Sequence, residues 1–312
     1  MVSSTILTVP KTYLGWKVDY TTPPGEPGFA APDSVSWRVF ANPVALAIGG
    51  VAAVLLEFAD PRIRSGVWEH STFRTDPVGR STRTGIAAMV GVFGPQSAAR
   101  RVIQGVTHMH RKVEGQTPAG EAYRALDVEL LDWVSATAAF GFVTAYHRFV
   151  SPLSDEEQAR YFAEGQPVAR LYGAQNPIGS LADFDAMLAR LLPRFEPHPI
   201  NTEFLSIMAS GRAAPAVPRG LHSALVNAAV DILPGEVRDR LELGRGFDLS
   251  ARGRLTVKAM ARLADRVPDP SSPAAQACER LGLPRSYPWR SKRTQARMLA
   301  RAGFPNRLVA AE

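Results

Sequence analysis

The residues best placed to do chemistry lie between Trp68 and Gly115, in WEHSTFRTDPVGRSTRTGIAAMVGVFGPQSAARRVIQGVTHMHRKVEG. Arg80, Arg83 and Thr84 stand at i, i+3 and i+4, so on a helix they bring two guanidiniums and a hydroxyl to one face. Such a face can hold a carboxylate or phosphate through paired N–H donors, or it can be a solvated basic edge. His110 follows Val106 by four positions and Val102 by eight, which puts its imidazole on the apolar side of the next helix. There a neutral imidazole can ligate a metal or pair with a buried backbone carbonyl. His108, two positions earlier, is rotated by roughly 200° onto the polar side. His70 reads as a capping or core histidine. Glu69 and Glu164 are candidate acids or bases, or else surface carboxylates in salt bridges.

These side chains need helices to position them. Asp76, Pro77 and Gly79 mark one turn and Gly94-Pro95 another, so helices are expected over 79–92 and 97–114. Small residues (Gly85, Ala87, Ala88, Gly91) let the first of them pack tightly while its arginines reach outward. Upstream, Val44–Leu56 is the most apolar run, yet it falls short of the ~20 residues a membrane span needs and is expected as a buried core helix. Its central Gly49 and Gly50 would let a flat group or another helix come close. An amphipathic helix is expected over Glu57–Ser71, with Pro61 near its start. Downstream, Ala125–Val150 reads as a long helix, apolar nearly all round and opened by Asp127, that must run through the core. Ser154-x-x-Glu157 is a capping box that starts another at Asp155, which Pro167 is expected to kink or end. Shorter helices are expected over Ser180–Leu192, Asn201–Ala209, 221–233, 234–243, 252–266 and 290–302. Sustained alternation of period two is missing, as are a dinucleotide-binding glycine fingerprint, a phosphate-binding Walker loop and a nucleophile elbow.

Composition bounds the rest. A chain of 312 residues with 46% hydrophobic content can bury a large core. Its single cysteine, Cys278, excludes an internal disulfide framework and fits a reducing, cytoplasmic compartment. The net charge of +7 speaks to steering and solubility rather than to mechanism. The basic stretch RSYPWRSKRTQARMLARAGFPNR reads as a solvated helical tail or an anion-binding face, and no recognition helix for nucleic acid is recognisable. The proline- and glycine-rich first forty residues lack a secretory signal pattern and read as an extended arm. No transmembrane span is expected, while peripheral membrane contact stays open.

The segments GRSTRT, VFG and VTHMHRKVEG, then Y-x-ALDxELLxWVxAT and SPLSxxExxRYFAEG, occur in the order found in the catalytic domain shared by the fungal MpaB oxygenase and the bacterial rubber oxygenases called latex-clearing proteins. The resemblance covers roughly residues 40 to 245, which gives an arm over 1–40, a catalytic domain over 41–245 and a basic helical extension over 246–312. It implies an all-α, globin-like multi-helix bundle around a non-covalent b-type haem, and oxidative cleavage of a carbon–carbon double bond in an apolar, isoprenoid substrate with O2. By motif matching His110 corresponds to the proximal iron ligand, and no C-x-x-C-H attachment motif is present. Arg80, Arg83 and Thr84 correspond to the distal helix. The rubber enzymes carry lysine where this chain has Arg83, and arginine scarcely deprotonates, so it is a poor axial ligand. Arg83 is therefore expected to donate hydrogen bonds to bound oxygen or to a haem propionate, and Thr84 to relay a proton. A haem carrier or sensor without turnover would use the same His110 and arginines.

Overall fold

A computed structural model describes residues 12–13, 16–215 and 217–304. Two short paired strands, β1 (Thr12–Tyr13) and β2 (Trp16–Lys17), precede α1 (Val35–Ala41), α2 (Pro43–Ala59), α3 (Pro61–His70), α4 (Pro77–Phe93) and α5 (Gln96–His110). A small antiparallel hairpin, β3 (Glu114–Gln116) and β4 (Ala122–Arg124), leads to α6 (Val128–Phe149), α7 (Asp155–Leu171), α8 (Leu181–Leu191), α9 (Pro199–Ala209), α10 (His222–Asp231), α11 (Gly235–Arg240), α12 (Ala251–Ala264), α13 (Pro273–Arg280) and α14 (Lys292–Arg301). Among the described residues the regular structure is helical apart from these four short strands, so the fold is all-α in the main.

The helix starts follow from local chemistry. Asn42 Oδ1 accepts hydrogen bonds from the Val44 and Ala45 amides at 3.1 and 3.0 Å, and Pro43 opens α2 with a ring whose missing N–H costs nothing there. Asp60 repeats the device for α3, accepting from the Arg62 amide at 2.9 Å ahead of Pro61. Its extended backbone breaks the helix later than the sequence suggests, so Glu57, Phe58 and Ala59 complete α2 instead of opening α3. Asp76 caps α4 through the Gly79 amide at 2.8 Å. The Ser154–Glu157 capping box forms as expected, but Pro167 lies inside α7 without ending it.

The core is built on α2 against α6. A Cβ on Gly49 would stand 2.7 Å from the Gly141 carbonyl oxygen, and one on Gly141 would collide with the Gly49 carbonyl in return. What approaches Gly49 is thus another helix. Trp133 of α6 is fully buried, stacks on Phe184 of α8 at 5.5 Å and donates its indole N–H to the Leu56 carbonyl at 3.1 Å. Among the described residues α6 alone is long and apolar enough to cross a membrane, with half of that window buried inside the bundle.

A second apolar cluster joins the two ends of the described chain. Val18, Tyr20 and Trp37 pack with Val90 and Phe93 of α4 and with Cys278, Leu283, Tyr287 and Leu299. The segment expected as an extended arm therefore carries a helix, α1, at its end and is held by Arg280. That buried guanidinium donates to the Tyr20 and Glu26 carbonyls at 2.6 and 2.8 Å.

Candidate active site

The charge of one guanidinium is felt by groups on two other helices. Arg80, one turn into α4, acts electrostatically on Glu57 near the end of α2 and on His110 in the last turn of α5. Thr137 of α6 completes the group, donating its hydroxyl to Glu57 Oε1 at 3.3 Å and to the Val134 carbonyl at 2.9 Å.

His110 is half-buried, on the side of α5 whose Val102 and Val106 are buried, whereas His108 and Met109 are exposed. Burial first, and then the Arg80 charge, hold its pKa below the ordinary histidine value. Both effects penalise the imidazolium, so the ring is neutral and carries a nitrogen lone pair able to ligate a metal. The helix stops at His110 because the Arg111–Val113 turn leads at once into β3; the expected continuation to residue 114 is replaced by the hairpin.

Glu57 is the residue that sequence reasoning passed over. Burial raises its carboxyl to about 7, against the lowering effects of Arg80 and the Thr137 hydroxyl. A carboxyl near neutrality can both give and take a proton. The available signal was a lone carboxylate directly after an uninterrupted apolar run, and it was lost by assigning Glu57 to the following amphipathic helix.

Arg80 and Thr84 are brought together as their i, i+4 spacing implies: the guanidinium donates to Thr84 Oγ1, and that hydroxyl donates to the Arg80 carbonyl at 3.0 Å. Arg83 is turned away toward the α3–α4 connection, donating to Thr72 Oγ1 at 2.6 Å and standing 3.7 Å from Asp76 Oδ2.

The remaining candidates have structural partners. Glu69 accepts the Tyr123 hydroxyl at 3.1 Å, with His70 Nε2 3.5 Å from the same oxygen, which ties α3 to the hairpin. Glu164 accepts the Val35 and Ser36 amides at 3.2 and 2.9 Å, a carboxylate on the N-terminus of α1 that docks α7 against it. Arg62 is clamped between Asp60 at 2.7 Å and Glu129 at 2.9 Å, joining α3 to the start of α6.

Residues 37–266 match a family model described as "ER-bound oxygenase mpaB/B'/Rubber oxygenase, catalytic domain". The chain belongs to this family. No curated protein and no solved structure is matched. The matched span contains Glu57, Arg80, Arg83, Thr84, His110 and Thr137, so the whole four-helix constellation belongs to the MpaB/rubber-oxygenase domain. It also extends through α12, beyond the stretch that the motifs mark out. An oxygenase of this family acts on a small-molecule substrate with O2.

Proposed function

We propose that this chain is a haem-dependent oxygenase that holds b-type haem in a globin-like helical pocket and oxidises an apolar, isoprenoid-like substrate with O2. The observation that carries this reading is a neutral, half-buried His110 on the apolar side of α5 that shares the electrostatic influence of Arg80 with a near-neutral Glu57. The donor set fits the group. Iron in b-type haem needs one neutral imidazole from the protein, while the propionates need cationic donors at the rim. His110 would hold the iron, and Arg80, whose charge acts on His110, would be the cation for a propionate.

When bound, haem supplies the activation of O2, and the protein supplies binding, orientation and electrostatics. Burial, reinforced by Arg80, keeps His110 unprotonated, and the guanidinium would offer positive charge to negative charge that develops during reaction. Thr84 holds that guanidinium along α4. Thr137 fixes Glu57 Oε1, leaving Oε2 as the atom at which a proton is held or released. Arg83, on α4, is engaged by Thr72 and Asp76 of the α3–α4 connection, with which a propionate reaching it would compete.

The test is O2 uptake by the full chain loaded with haemin and supplied with a polyisoprenoid, with carbonyl products followed in parallel. Uptake is expected, and Glu57→Gln should slow it roughly a hundredfold, the lower range for loss of a general acid or base. Haemin-loaded protein that takes up no O2 with such a substrate is a haem carrier, not an oxygenase.

A further inference from the structure

The three most exposed large apolar side chains among the described residues, Leu255, Leu263 and Val267 (72%, 62% and 53% accessible), all lie on α12 or in the turn that ends it. A turn of roughly 100° per residue places Leu255, Ala259, Arg262, Leu263 and Arg252 within an arc of about 100°. The buried Val257 and Ala261, which seat α12 on the bundle, fall on the opposite side. The outward arc is therefore aliphatic and cationic at once. Arg252, Lys258, Arg262 and Arg266 form no hydrogen-bonded ion pair among the described residues, unlike Arg254 on the inward side, which is paired with Asp231 at 2.8 Å. Where α12 ends, Arg262, Asp265 and Arg266 line a cleft of about 280 Å³ with Val150, Ser151 and Pro152.

We propose that this face of α12 docks on an anionic phospholipid bilayer, with Leu255, Leu263 and Val267 entering the headgroup boundary and Arg262 and Arg266 taking lipid phosphates at the cleft. Charge chooses the occupant. A second copy of the chain would oppose like charges, whereas an anionic lipid surface offers both phosphates for the arginines and an apolar layer for the leucines. A nucleic acid satisfies the arginines alone, and the arc presents no aromatic ring on which a base could stack. The interface does not depend on the oxygenase reading, because none of its residues belongs to the Glu57–Arg80–His110 group.

The experiment is co-sedimentation of the full chain with vesicles of phosphatidylcholine alone or mixed with phosphatidylserine, with inorganic phosphate and a duplex oligonucleotide as competitors. Binding is expected to the mixed vesicles only and to persist in millimolar phosphate. Arg262→Gln/Arg266→Gln should weaken it roughly thirtyfold, the loss of two surface-adjacent cations. Leu255→Ser/Leu263→Ser should weaken it by roughly tenfold or more, since insertion scales with apolar area. These side chains are exposed, so both variants should keep the wild-type melting temperature. The proposal is overturned if the mixed vesicles are not bound, if the leucine variant binds as well as wild type, or if the oligonucleotide displaces the protein through both sets of residues.

Discussion

At Glu57 two effects oppose one another. Burial raises the carboxyl's pKa, while Arg80 and the Thr137 hydroxyl lower it, and burial prevails to leave a value of about 7. An unfolded chain releases that proton in the ordinary carboxylate range, so between that range and about 7 the folded state binds more protons than the unfolded one. The sign follows: Glu57 makes the haem-free protein less stable as pH rises through this window. Glu57→Gln, neutral throughout, should remove this part of the slope, and urea midpoints measured below and above the window should show the variant gaining on wild type as pH rises. A constant difference between the two would mean that Glu57 titrates normally. His110 moves the other way, since burial and Arg80 both oppose its charged form, and it remains a neutral donor to lower pH than a free histidine. Burial dominates at both groups, and the one guanidinium acts on each, favouring the carboxylate of Glu57 and the neutral ring of His110.

Among the elements, the contact between α2 and α6 decides where Glu57 and Thr137 sit relative to each other. The helices approach so closely at Gly49 and Gly141 that each glycine's Cβ position is occupied by the other's carbonyl. Gly49→Leu should therefore push the helices apart, lowering stability by ~2–3 kcal/mol or more, as overpacking of a rigid contact does. Gly50→Ala is the control: its Cβ would meet only Phe142 at 3.9 Å, and an unfolding midpoint at or above wild type is expected. A similar loss in both would place the constraint elsewhere. This contact was half legible in the sequence, which marks the glycines for a close approach but cannot say whether to a helix or a flat ligand. Helix periodicity gave the long elements, and the phase of α5 separated His110 from His108 correctly. It failed where local patterns compete with tertiary contacts. The N-terminal segment looks extended because of its prolines, yet buried Trp37 and Ser34 capping make α1 helical. The hairpin after His110 is too short to alternate visibly, and α13 is a helix of only eight residues whose buried face is half alanine and includes Arg280, with little contrast for periodicity to detect. Arg83 shares its face with Arg80 by spacing, but its long side chain is claimed by Thr72 and Asp76, partners eleven and seven residues back that helical geometry cannot anticipate.

For the whole molecule, the bundle divides its labour between two apolar clusters. The larger, around α2, α6 and α8 to α12, fixes Glu57 and Thr137, while the smaller, shared by α4, α5 and the two ends of the described chain, carries Arg80 and His110. The candidate residues thus draw on helices of both clusters, and α12 presents its basic aliphatic face away from the core. Both the oxygenase reading and the role of each residue around Arg80 rest on His110 serving as an iron ligand. The measurement that tests this most directly is a haemin titration of the full chain followed by absorption, for wild type and His110→Ala. A single equivalent of haemin is expected to give wild type a sharp protein-bound spectrum, and the variant should lose that spectrum or bind haemin far more weakly while keeping its helical circular dichroism. A wild type that leaves the haemin spectrum unchanged, or a folded variant that reproduces the wild-type spectrum and affinity, would contradict the account.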